Sequence, residues 1–249
     1  SKRRAELIGI IDWRMAQCAA RDVAFRFNTL AEAADVTALA PDIVVIATGG
    51  LPQQDILEAG NDLTVTAWDI LTGDVRPGRE VLLFDDAGDH AALQAAEVIA
   101  QTGASVEIMT PDRSFAPEVM GMNLVPYMRS LQDKPVTMTV ARRLRSVARA
   151  GNRLLATIGT DYSGHVYEAE FDQVVVNHGT LPLDTLYHDL RPLSHNGGAV
   201  DHDALLALRP QALAPNPDGA FQLFRIGDAV SSRNIHAAIH DALRLLAPL

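Results

Sequence analysis

The sequence contains one cysteine, Cys18, in 249 residues. A single thiol excludes a disulfide framework and a cysteine-ligated iron–sulfur cluster within this chain. On an apolar helical stretch, Cys18 reads as a small buried hydrophobe. No apolar run approaches the roughly 20 residues of a membrane-spanning helix. The basic start Ser1-Lys2-Arg3-Arg4 is not followed by the apolar core of a signal peptide. Basic residues are the minority, 21 Lys+Arg against 31 Asp+Glu, and the net charge of −10 argues against nucleic acid or an anionic membrane as partner. Any G-x-G-x-x-G dinucleotide fingerprint is also absent. These absences leave a cytoplasmic globular protein as the default, long enough for one large or two medium domains.

What is present is organised around residues 80–111. The apolar run 81–84 reads as a buried parallel strand. Residues 91–101 form an Ala-rich helix with Leu93, Ala96, Val98 and Ile99 on one face, and Gly103 ends it. Residues 104–110 supply the next strand. This is a βαβ unit of dinucleotide-binding length. Its phosphate loop departs from the fingerprint: Asp85, Ala87 and His90 stand where glycines are needed. Asp85, Asp86 and Asp89 favour the helix dipole and repel phosphate. Two readings stay open here, a nucleotide site that has been lost and an ordinary crossover that never had one.

Taken in order, residues 5–20 carry Leu7, Ile10, Ile11, Met15 and Cys18 at helical spacing. Residues 23–27 alternate as a short strand. Residues 30–39 read as a helix capped by Asn28 or Thr29. Residues 43–46 are a buried strand followed by Ala47-Thr48-Gly49-Gly50. The start on a helix, with no opening strand, gives the expectation of a fragment beginning inside a domain. Residues 51–75 are turn-rich and fit a crossing between domains. A helix over 115–131 and a strand over 136–140 follow. Then comes an antiparallel meander with turns at Gly151-Asn152 and Ser163-Gly164. The parallel strand 171–176 runs into Asn177-His178-Gly179-Thr180, echoing the 43–50 ending. Finally the strand 221–224 leads to Ile226-Gly227-Asp228-Ala229. A helix over 234–246 closes the chain, with Ile235, Ile239, Leu243 and Leu246 on one face.

Four stretches together carry a resemblance: Asp42 through Gly50, the degenerate βαβ at 80–111, Asp172 through Gly179, and Ile226-Gly227-Asp228-Ala229 with its helix. In this order they resemble the C-terminal region of the trimethylamine dehydrogenase and 2,4-dienoyl-CoA reductase family of NADH:flavin oxidoreductases. The Asp-Asp-x-Gly-x-His loop looks most like the N-methylproline or stachydrine demethylase branch. The resemblance implies an α/β chain of two Rossmann-like, three-layer domains. One is FAD-like, residues 1–70 plus 183–249, and lacks its first βαβ unit. The other is an inserted NAD(P)-like domain over 76–180 with the meander. It also implies an N-terminal TIM barrel as partner, carrying FMN and a 4Fe–4S cluster and the substrate chemistry on N-methylated amines or amino acids. No catalytic residue is then expected in this chain, and the isolated piece is expected to be inactive.

By the same resemblance the cofactor here is FAD or ADP, with Gly49, Gly50, Gly227, Asp228, Asn234 and Ile235 as its binding residues. Asp228 would hydrogen-bond a ribityl or ribose hydroxyl, Gly227 allows close approach, and the last helix would point its N-terminus at the pyrophosphate. The plainer reading of Asp228 is a helix cap. NAD(P) binding is not expected at the 85–90 loop. The competing functional class is a structural or oligomerisation module, assembled as a homo-oligomer, with both nucleotide sites decayed. A free-standing NAD(P)-dependent reductase lacks its glycine loop. His236 and His240 are four apart on one helix but have no evident third ligand, so no metal site is expected.

Overall fold

The computed structural model describes residues 2–248; Ser1 and Leu249, the outer ends of the expected FAD-like domain, lie outside the described residues. The chain forms two compact units, one of residues up to 16 with 52–179, the other of residues 17–51 with 180 onward. The chain passes between them at 16/17, 51/52 and 179/180.

The larger unit is built on a five-stranded parallel sheet. Its order is Val65–Thr66, Gln173–Asn177, Glu80–Asp85, Ser105–Met109, Val136–Thr139. The apolar run 81–84 is buried on both faces, which is what a parallel strand requires. Val81 and Leu83 pack with the helices Ala67–Thr72, His90–Gln101 and Gly121–Gln132. Leu82 and Phe84 point the other way, onto Leu144, Leu154, Ala156 and Ile158. Those residues belong to an antiparallel three-stranded sheet, Arg143–Ala150, Arg153–Gly159 and Tyr167–Phe171. The unit therefore has three layers: helices, parallel sheet, meander. Residues 52–75 are not a passive crossing. They supply the edge strand and a helix started by a capping box between Thr66 and Asp69, with Ala67 and Ile70 in the core.

The smaller unit is built on a parallel strand pair, Ile43–Ile46 and Gln222–Arg225, with Ile46 opposite Arg225, and Gly50–Pro52 pairs with Thr180–Pro182. Its core gathers Ile46, Tyr187, Leu190, Phe221, Leu223 and Ala229. The outer edge of Gln222–Arg225 is closed by loop residues. His195 N–H donates to Phe221 O at 2.7 Å and Ala220 N–H to Leu193 O at 2.9 Å. The buried Asn196 amide then acts as a neighbouring strand would. Its Nδ2 donates to Leu223 O at 2.8 Å and its Oδ1 accepts from Leu223 N–H at 2.9 Å. The outer edge of Ile43–Ile46 carries no strand among the described residues.

Residues 17–39 depart from expectation. The 23–27 stretch is not a strand: its residues are exposed, they pair with no sheet edge, and Phe25 stacks on Phe27 with centroids 5.3 Å apart. The expected 30–39 helix shrinks to Ala33–Thr37. It begins at Glu32, whose N–H donates to Asp35, so neither Asn28 nor Thr29 caps it. The helix Gly9–Ala19 forms as its spacing predicts but buries no residue, and Cys18 is only partly covered.

Because Asn196 satisfies both backbone groups of a buried strand residue, Asn196→Ala leaves the Leu223 N–H and C=O without partners. The expected loss of stability is about 2–4 kcal/mol, read as faster native-state exchange of the Leu223 amide. A loss below about 0.5 kcal/mol would show that the side chain does not hold this edge.

Candidate functional site

In an open α/β sheet, ligands bind where the strand order reverses, beyond the carboxyl ends of the strands. In the larger unit that point lies between Glu80–Asp85 and Gln173–Asn177. The 85–90 loop follows the first of these strands, and Asn177-His178 closes the second. Four backbone N–H groups of this turn, those of Asp86, Ala87, Gly88 and Ala91, are spent internally. Gly88 N–H donates to Asp85 Oδ1 at 2.9 Å, and Ala91 N–H to Asp89 Oδ1 at 2.8 Å. Asp86 and Ala87 N–H both turn to Asn177 O at 3.3 Å. The Asn177 amide ties the carboxylates together, donating to Asp85 at 2.9 Å and Asp89 at 3.0 Å. Gly88 sits at φ +70°, and a Cβ there would lie 2.6 Å from Pro117 Cδ. The space a glycine would open to a pyrophosphate is filled by Pro117.

The other loop residues are also engaged. Asp86 Oδ1 pairs with His178 Nδ1 at 2.8 Å, with the imidazole fully buried. His90 Nδ1 lies 3.1 Å from the Tyr127 hydroxyl. Burial pushes the Asp85 carboxyl up, its bonds to Asn177 and Gly88 pull it down, and Asp89 raises it again; the outcome is about 6, against an ordinary 3.8. This crevice holds carboxylates in place of a ligand's phosphates.

The smaller unit offers the opposite arrangement. At the carboxyl end of its two strands lies a cavity of about 500 Å³. Gly49, Gly227, Asp228, Asn234 and Ile235, five of the six expected binding residues, line it. Gly50 does not. A Cβ there would meet the Leu181 carbonyl oxygen at 2.7 Å, so its small size serves the pairing of Gly50–Pro52 with Thr180–Pro182. Gly227 has φ +62°, and its Cβ would stand 3.2 Å from that of Ala238 on the following helix. The helix Ile235–Leu246 is capped by Asn234, whose Oδ1 accepts from Ala237 N–H at 3.0 Å. Asp228 is therefore not the cap; its Oδ1 accepts from Arg233 N–H at 3.0 Å. The N–H groups of Ile235 and His236 keep no acceptor among the described residues. The helix start presents open donors and the positive end of its dipole.

Sequence reasoning missed the pair that shapes this loop. Asp241, two turns into the helix, accepts Gly227 N–H at 3.0 Å and pairs with the Arg233 guanidinium, which also reaches Gly227 O at 3.4 Å. Burial pushes the Asp241 carboxyl up, but Arg233 and the Gly227 N–H outweigh it and hold the group below its usual range. Arg233 precedes the helix and Asp241 lies within it, so their eight-residue spacing carries no signal on its own. The apolar face also differs from expectation. Ile235 and Ile239 line the cavity with Ala238 and Ala242, whereas Leu243 and Leu246 are exposed.

No family model matches the chain. The chain is 62% identical over 246 residues, 99% of its length, to a probable N-methylproline demethylase of Rhizobium meliloti. It is 42% identical over 254 residues, 98% of its length, to the N,N-dimethylglycine/sarcosine dehydrogenase of Chromohalobacter salexigens. It spans 36% and 37% of the length of these two relatives. Among solved structures, 2-naphthoyl-CoA reductase superposes with a TM-score of 0.75 at 24% identity, over 96% of this chain and 32% of that one. The fold is thus α/β with Rossmann-like, FAD/NAD(P)-binding-like architecture, as its parallel sheets indicate.

The raised Asp85 value sets a pH dependence. A carboxyl at about 6 in the fold and 3.8 when unfolded favours the fold while protonated, and that contribution is lost as pH rises through about 6. The cost at neutral pH and above is roughly 3 kcal/mol at most. Asp85→Asn keeps an acceptor without the charge. It should stabilise the protein against urea at about pH 8, with the gain fading by about pH 4.5. An equal effect at both pH values would contradict the assignment.

Proposed function

We propose that this chain is the nucleotide-holding part of a larger flavin-dependent oxidoreductase that dehydrogenates or demethylates N-methylated amines or amino acids. The named relatives support the substrate class, and the chain's 36–37% share of their length supports a larger whole. In this reading FMN and a 4Fe–4S cluster belong to a barrel outside this chain, and substrate chemistry occurs there. The bare edge of Ile43–Ile46 is then the place for further strands of an FAD-like domain.

The observation that carries the proposal is the meeting of Gly49, Gly227, Asp228, Asn234 and Ile235 around one cavity at a helix start. These residues fit the ADP moiety of ADP or FAD. The open N–H groups of Ile235 and His236 would receive phosphate oxygens, and Gly227 permits their approach. Asp228 would accept from a ribose or ribityl hydroxyl. When bound, FAD would supply a redox centre and ADP only an anchor. NAD(P) has no place in the 85–90 loop, where Asp85 and Asp89 take up the loop's donors.

Calorimetric titration with ADP, FAD and NADH tests this. ADP or FAD should bind, Asp228→Ala should weaken that binding about tenfold or more by removing a hydrogen-bonded charge, and NADH should give no heat. If none of the three binds, the chain is a scaffold with two decayed sites.

A further inference from the structure

The helix Ile235–Leu246 has a second pocket on its other side, of about 190 Å³. Its walls come from the 200–205 segment, the end of the Gln222–Arg225 strand and the last turns of the helix. Two kinds of surface meet there. Val200, Leu205, Val230 and Leu245 are apolar, and Leu245 is buried. Arg225, Arg233 and Arg244 bring three guanidinium groups against one carboxylate, Asp241.

The charges are unevenly matched. Arg225 is paired with Asp184, outside the pocket wall, and lies 4.6 Å from the centre of the Tyr187 ring. Arg233 is paired with Asp241. Arg244 has no carboxylate partner among the described residues. Its Nε donates to His240 Nε2 at 3.1 Å, a bond that needs an unprotonated acceptor nitrogen and so brings no negative charge. One uncompensated guanidinium beside apolar walls asks for a monoanion with an apolar body.

We propose that this pocket binds a small organic carboxylate, its carboxylate on Arg244 and its hydrocarbon part against Leu205, Val230 and Leu245. A guanidinium fork matches a carboxylate in two parallel bonds. The volume lies below that of pockets for drug-sized ligands, about 300–1,000 Å³, and limits the body to a few carbons. A phosphate dianion fits less well, since Arg225 and Arg233 are already paired with carboxylates and Arg244 alone balances one negative charge, not two. The site is separate from the Gly227 cavity, although Ile226 and Arg233 touch both. Arg244 touches only the pocket and gives the cleaner variant.

The test is titration of the protein with isovalerate and, separately, inorganic phosphate at constant ionic strength, followed by calorimetry. Isovalerate should bind saturably and phosphate should not. Arg244→Gln should weaken isovalerate at least about tenfold, with Arg244→Lys intermediate, because only the fork makes both bonds. Leu205→Phe fills the pocket with every charge kept and should abolish binding, so the proposal stays testable if Arg244→Gln fails to fold. Absence of saturable isovalerate binding, equal binding of phosphate, or unchanged binding by a folded Arg244→Gln or Leu205→Phe protein would overturn it.

Discussion

Wherever a parallel strand turns into a helix, the first N–H groups of that helix need acceptors from outside it. Leaving such a group buried and unpaired costs about 1–3 kcal/mol, so each turn must find a solution. The two units of this chain solve it in opposite ways. In the larger unit Asp85 and Asp89 accept from Gly88 and Ala91, and the Asn177 side chain joins the two carboxylates. In the smaller unit Asn234 satisfies one donor, and the helix starts at Ile235 on the wall of a cavity.

That contrast orders the rest of the structure. The larger unit has three layers, with apolar residues on both faces of its central strands, beside a turn whose Asp86, Ala87, Gly88 and Ala91 N–H groups are bonded within the protein. Asp85 is buried there, and its carboxyl is pushed to about 6. The smaller unit is organised around its opening. Arg233 and Asp241 hold Gly227 by both its N–H and its C=O, which fixes the loop at the cavity mouth without filling it. The Ile235–Leu246 helix buries only Leu245 and spends its small apolar face on the cavity wall.

Much of this was legible in the residues. The run 81–84, the Ala-rich helix after it and the paired meander turns fix the layers of the larger unit, because burial on both faces and period-two alternation leave few alternatives. Asp85, Ala87 and His90 already announce a loop without room for phosphate. What the residues could not show was who takes the loop's N–H groups, since Asn177 lies 92 positions from Asp85. A glycine needed for a close backbone pairing, as at Gly50, looks the same in sequence as one needed for a ligand. The 23–27 alternation misled because a strand exists only where it pairs with a neighbour, and these exposed residues pair with none. Arg233 and Asp241 act through the helix geometry that brings them together, which spacing alone does not announce.

The most direct measurement is hydrogen–deuterium exchange of the protein, free and with saturating ADP or NADH. The account predicts that ADP slows exchange over residues 227–236 and that NADH leaves 85–91 unchanged, because the Asp86, Ala87, Gly88 and Ala91 N–H groups are already bonded to Asn177, Asp85 and Asp89. Protection of 85–91 by NADH, with 227–236 indifferent to ADP, would contradict it and assign the nucleotide to the other unit.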